Sequence, residues 1–159
     1  MNDAPTPAPP ALRPSDPDWE SRVRASFARQ RFAARIGATF EHAAPGTVEL
    51  GLPFDADLTQ QHGFLHAGVV ATALDSACGY AGFTLMPGDA GVLTIEYKIN
   101  LLAPARGQRF RMVGQVVKPG RTVTVTEGRA YAIDDGREKL IATMGATLMT
   151  ITGRQDVKN

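Results

Sequence analysis

A single cysteine, Cys78, stands in 159 residues, so an intramolecular disulfide is impossible and a reducing compartment is the natural setting. Free cysteine is usually a small, inert core residue, and the apolar surroundings of Cys78 point the same way. No apolar run approaches the ~20 residues that a membrane helix needs. The opening stretch Met1-Asn2-Asp3-Ala4-Pro5-Thr6-Pro7-Ala8-Pro9-Pro10 has neither a basic start nor an apolar segment, so it does not read as a secretory signal. The expected location is the cytoplasm. Charge of one sign is scarce as well: 17 Lys and Arg stand against 16 Asp and Glu, a net of +1. Nucleic-acid binders usually carry a concentrated basic face, and none is present. Neither nucleic acid nor a membrane is an expected partner.

What is present is enough for one ordinary core, since 43% of the residues are apolar. Residues 1–14 hold five prolines and little to bury, which predicts a disordered tail. A single domain is expected over residues 15–155. Its first element is a helix from about Pro17 to Ala34, capped by Ser15, with Trp19, Val23 and Phe27 inward and Arg22, Arg24, Arg29 and Arg31 toward solvent. Two strands follow, Ile36 to His42 and Thr47 to Pro53, joined at Ala44-Pro45-Gly46. A helix beginning near His66 comes next. Four long strands complete the chain, at about Gly91 to Leu102, Arg109 to Lys118, Arg121 to Asp134 and Lys139 to Thr152. The fold class is therefore α+β: a curved antiparallel sheet of about six strands wrapped around one central helix. The apolar character of residues 67–83 suits a helix surrounded by sheet on most sides.

Within that helix Asp75 is the only acid, and no Lys or Arg accompanies it between His66 and Gly82. Burying an unpaired carboxylate costs several kcal/mol, a cost more readily tolerated where the group has chemistry to perform. The segment Gln60-Gln61-His62-Gly63-Phe64-Leu65-His66-Ala67-Gly68 leads into the same helix. The first turn of a helix leaves backbone N–H groups unpaired at the positive end of its dipole. Ala67 and Gly68 barely obstruct them, so a carbonyl oxygen can approach as it would an oxyanion hole. Asp75 lies eight residues beyond Ala67, roughly 12 Å along the axis at ~1.5 Å per residue. One chain cannot bring both to the same small carbonyl. Joint action requires the helix start of one subunit and the carboxylate of another, hence a homodimer at least.

At this point the residues resemble a known family. His66-Ala67-Gly68 followed by Leu74-Asp75-Ser76-Ala77 is similar to the His-Gly-Gly…Asp signature of the hotdog-fold acyl-CoA thioesterases, in particular the phenylacetate-degradation (PaaI-like) group. The likeness includes Gly63, the strand Thr94 to Pro104, and Gly120-Arg121 in a strand turn, and it covers about residues 35–152. Ala67 departs from the pattern by replacing the first glycine, and Gln60 stands where many relatives have Asn. The resemblance implies a thioesterase acting on a short-chain, medium-chain or aryl acyl-CoA, with coenzyme A as part of the substrate and no separate cofactor or metal. Asp75 is then the general base or the nucleophile. The Ala67 N–H, with Gly68, holds the oxyanion, and Gln60 or Gln61 orients the thioester or the water. Thr94, from the partner strand, places that water, while His66 locks the loop through a hydrogen bond. Gly63 and Phe64 line the substrate cleft, and Arg121 contacts the nucleotide phosphates of coenzyme A. The same resemblance favours a homotetramer.

Other chemistries fit less well. His62 and His66 are four residues apart, as zinc ligands can be, but no third ligand accompanies them. Ser76 has no Gly-x-Ser-x-Gly elbow around it. A hotdog hydratase or dehydratase typically places prolines near its histidine loop, and residues 58–72 contain none. A non-catalytic acyl-CoA-binding module has no need of the lone carboxylate.

Overall fold

The computed structural model describes residues 11–154 and 156–157. Most of the tail expected over residues 1–14 therefore lies outside the described residues. The elements run α1 (Trp19–Ala28), α2 (Arg31–Arg35), β1 (Thr39–Ala44), β2 (Thr47–Pro53), α3 (Ala67–Phe83), β3 (Gly91–Leu101), β4 (Arg109–Lys118), β5 (Val123–Asp134) and β6 (Arg137–Ile151). All six strands form one antiparallel sheet in the order β1-β2-β4-β5-β6-β3. Short turns make β4, β5 and β6 neighbours. The strand after α3 instead crosses to the far edge and pairs with β6. Bulges interrupt β1, β3, β4 and β6, and each adds local twist and bend, so the sheet curves around α3 in the hotdog arrangement.

The inner face of the sheet supplies Leu50, Leu52, Phe110, Met112, Ile141 and Leu148, all essentially fully buried. Against them α3 buries Val70, Ala73, Leu74, Ala77, Cys78, Ala81 and Phe83. Two glycines set how closely it lies. Gly114 and Gly128 are cross-strand partners on β4 and β5. A side chain at Gly114 would run into the backbone carbonyl of Ala77, and one at Gly128 would sit 2.8 Å from Cys78 Sγ and 2.9 Å from Leu74. The bare backbone of this pair lets the middle of α3 seat directly on the sheet. Burial pushes the Cys78 thiol up to about 12, which matches an inert core residue.

The N-terminal helix departs from its expected form. It is two helices, α1 and α2, broken at Arg29 and Gln30. Ser15 does not cap it; the Ser15 hydroxyl donates to Leu85 O at 2.9 Å, and Asp16 accepts the Asp18 N–H at 3.0 Å. Arg22, expected in solvent, is largely buried. It pairs with Asp16 at 2.7 Å, donates to the carbonyls of Phe83 and Met86 at 3.3 and 2.8 Å, and lies over the Phe83 ring. The last carbonyls of α3 lack helical partners and carry the negative end of its dipole, so a cation there is stabilising. Spacing alone put Arg22 on the wet face; the α3 terminus packed against that face decides otherwise.

Candidate active site

The entrance to α3 is built by short-range turn chemistry. Gly63 has φ of 78°, a left-handed value that favours glycine. Around it the Gln60 N–H donates to Phe64 O and the Gly63 N–H to Gln60 O, both at 2.9 Å. The loop is tied down by the His66 N–H to Leu58 O at 2.9 Å and the Leu65 N–H to Ala105 O at 3.1 Å. His66 is the N-cap residue: its backbone is extended and its Nδ1 accepts the Gly68 N–H at 2.9 Å. The contact ties the loop to the helix start. It also corrects the expectation for Gly68, whose N–H is already engaged. Among the described residues no acceptor engages the Ala67 N–H, which leaves it as the donor open to a ligand. Ala67 opens into an apolar cleft of about 430 Å³ whose walls include Gln60, Phe64, Val70, Leu102 and Ile141. Gln60 is thus at the mouth. Gln61 is not in that lining; among the described residues its exposed amide meets only His62, at 3.4 Å.

Asp75 occupies a second cleft, of about 330 Å³, with Gln30, Ser76, Gly79, Tyr80, Val92, Leu93 and Thr94. Burial pushes its carboxyl above the ordinary value of 3.8, and the Thr94 hydroxyl, donating to Oδ1 at 2.9 Å, works in the opposite direction. Thr94 belongs to the same chain as the carboxylate it serves, not to a partner strand. The reason is topological: β3 returns along the sheet edge beside the open flank of α3. Below Asp75 the Tyr80 and Ser26 hydroxyls lie 3.2 Å apart in a buried pair. Gln30, supplied by the break between α1 and α2, completes the polar floor. Nothing in its local sequence singles it out, because it reaches the cleft only through the packing of α1 against β1 and α3.

One chain therefore holds the Ala67 N–H and the Asp75 carboxylate in different clefts, on stretches of α3 eight residues apart. One flank of α3 is only partly covered. Ala71, Thr72, Asp75, Ser76 and Gly79 are only half-buried there. Beside them the edge strand β3 exposes Leu93, Ile95 and Tyr97, at 46%, 52% and 46%. Arg121 is in neither cleft. It lies beyond the C-terminal end of α3, beside Leu85, Met86 and Pro87, at the opposite end of the helix from Ala67. Among the described residues no helix is long and apolar enough to cross a membrane.

Comparison with known proteins matches this arrangement to a family. The sequence profile of the thioesterase superfamily matches residues 62–139, a span that includes the α3 mouth, Asp75 and Thr94. A thioesterase family protein from Silicibacter pomeroyi, known from a crystal structure, is 58% identical with a TM-score of 0.84, covering 85% of this chain and 99% of that one. A protein of Saccharolobus solfataricus named an esterase by inference is 38% identical over 107 residues, 67% of this chain and 69% of that relative. The 1,4-dihydroxy-2-naphthoyl-CoA hydrolase of Escherichia coli is 32% identical over 74 residues, 46% of this chain and 54% of that enzyme.

Proposed function

Since the chain belongs to the thioesterase superfamily and is a thioester hydrolase, we propose that it cleaves acyl-CoA thioesters at two composite sites of a homodimer. Each site combines the α3 mouth of one protomer with Asp75 and Thr94 of the other. The observation that carries this reading is the division of labour within one chain: a free Ala67 N–H in one cleft, a half-buried carboxylate in another, and ~12 Å of helix between them. Two-fold pairing of β3 edges would cover Leu93, Ile95 and Tyr97 and lay the two α3 helices side by side, each mouth against the other's Asp75. A tetramer made of two such dimers is compatible with this arrangement and adds nothing to the site.

The reaction follows from the parts. The thioester carbonyl oxygen accepts the Ala67 N–H, and Gln60 orients the group from the side. Asp75 of the second protomer acts as general base. Its Oδ1 is held by Thr94, and its other oxygen takes a proton from water as that water's oxygen bonds to the carbonyl carbon. Negative charge develops on the carbonyl oxygen, where the N–H and the positive end of the α3 dipole already point. Collapse of the tetrahedral intermediate breaks the C–S bond. The departing thiolate takes the proton back from Asp75, giving free acid and CoA. A thiolate is a good leaving group, so one base and one oxyanion donor suffice.

Release of free thiol from acyl-CoA substrates tests the activity, and complementation tests the shared site. Asp75→Asn removes the base. Ala67→Pro replaces the N–H by a ring carbon, at a first helical position that tolerates proline, after a residue already extended at φ −62°, ψ 137°. Each variant alone is expected to lose about a hundredfold or more. Random mixed dimers should recover about a quarter of the wild-type rate, because half of them are mixed and each of those keeps one intact site. No recovery from well-mixed, folded dimers would end the composite-site reading.

A further inference from the structure

Beyond the C-terminal end of α3 a third cleft, of about 390 Å³, is lined by Leu12, Arg13, Ser15, Met86, Gly120 and Arg121 among others. Its described lining carries two guanidinium groups and no carboxylate. The acid nearest to Arg13 in the chain, Asp16, is already held by Arg22 at 2.7 Å. Arg13 is brought there by the segment before α1. The Ser15 N–H and hydroxyl both donate to Leu85 O, at 3.3 and 2.9 Å, and Leu12 packs half-buried against the core. A different basic cleft, with Arg106, Arg137 and Lys139 beside Phe64, also contains Asp134 and Glu138, so it suits an anion less well.

The composite site puts the first of these clefts within reach of the substrate. A two-fold axis lays the paired α3 helices antiparallel. When Asp75 of one meets Ala67 of the other, the eight residues from Ser76 to Phe83 run on past that mouth for about 12 Å. The cleft begins there. The pantetheine arm of a CoA thioester has the extended length of about four residues, roughly 13–14 Å. A thioester held at one protomer's mouth thus delivers its phosphates to the cleft of the other.

We propose that Arg13 joins Arg121, whose phosphate contact the family resemblance already implies, in clamping the CoA half of the substrate, and that the segment preceding α1 is a working part of the binding site. This rests on the protein acting on CoA thioesters. Guanidinium groups suit it, since their forked donors match phosphate oxygens.

The test compares hydrolysis of an acyl-CoA with that of its S-acyl-N-acetylcysteamine counterpart, which has the same acyl group and no nucleotide. Arg13 is exposed, so Arg13→Ala should fold. In Arg13→Ala and in Arg121→Ala the ratio of kcat/KM for the two substrates is expected to fall by about tenfold, through KM, and the ratio in wild type should shrink with added salt. An unchanged ratio in Arg13→Ala, or a comparable fall in Arg106→Ala instead, overturns the proposal. If wild-type protein turns over neither thioester, the hydrolase reading fails. Calorimetric titration with CoA then decides separately: weaker binding by Arg13→Ala supports the clamp, and equal binding overturns it.

Discussion

Thr94 Oγ1 donates to Asp75 Oδ1 at 2.9 Å, from an edge strand to a helix nineteen residues earlier in the same chain. The hydrogen bond fixes one carboxylate oxygen and leaves the other to face the cleft. It also opposes the effect of burial, which by itself favours the neutral acid. The base proposed for the reaction needs its charge, so this hydroxyl favours the form of Asp75 that the proposed mechanism uses.

Thr94→Val removes that donor without changing the shape of the side chain. The Asp75 carboxyl should rise further, and the acidic limb of the kcat/KM profile should move to higher pH with it. Activity on the plateau is expected to fall by about tenfold, since the carboxylate also loses its fixed orientation. A pH–rate series on the variant and wild type reads both effects.

Asp75→Asn should lose activity yet gain stability. The folded protein holds this carboxyl above its ordinary value of 3.8, so the fold favours the protonated form. That contribution is fully present below the ordinary value and is lost as pH rises through the raised one. The amide cannot ionise and escapes the loss. Thermal unfolding should show the variant's advantage near neutral pH and its disappearance at about pH 3.

His66→Ala should cost about 1 kcal/mol, the usual worth of an N-cap side chain, seen as a fall in Tm of about 2–4 °C. The acidic limb of the pH–rate profile should keep its position, because the proposed reaction gives His66 the task of holding the Gly68 N–H and routes no proton through it. A lost ionisation in that profile would make His66 a participant in proton transfer.

Two glycine substitutions should act in opposite directions. Gly114→Ala drives a methyl group against the Ala77 carbonyl, and backbone cannot yield cheaply, so a loss of about 3 kcal/mol is expected. A methyl group at Gly79 meets nothing within 4 Å. Gly79→Ala should stabilise α3 by about 0.5–1 kcal/mol. Chemical denaturation of the two variants measures the difference.

The parts legible in the sequence were those set by local pattern. Alternation in Val48, Leu50 and Leu52 marked β2, and the small-residue run marked α3 and its start. The lone acid marked Asp75. Long-range pairing was not legible: nothing in residues 91–101 shows that β3 lies against β6. The ownership of Thr94 therefore had to come from the structure. Arg22 and Gln30 were misread or missed for a related reason. Each gets its role from α3, more than forty residues away, while neighbouring residues show only a continuous surface helix. The engagement of the Gly68 N–H depends on a side-chain rotamer of His66, and sequence does not encode that directly.

The contact of Gly114 and Gly128 with Leu74, Ala77 and Cys78 seats the Asp75 stretch of α3 directly on the sheet. With no side chain to shorten there, the sheet cannot be lowered to make room for a larger acyl group. Natural divergence in substrate size should therefore be concentrated on the opposite flank, at Ser76, Gly79 and the elements facing them, with this glycine pair left alone. A set of related sequences in which 114 and 128 vary freely while that flank stays constant would contradict it.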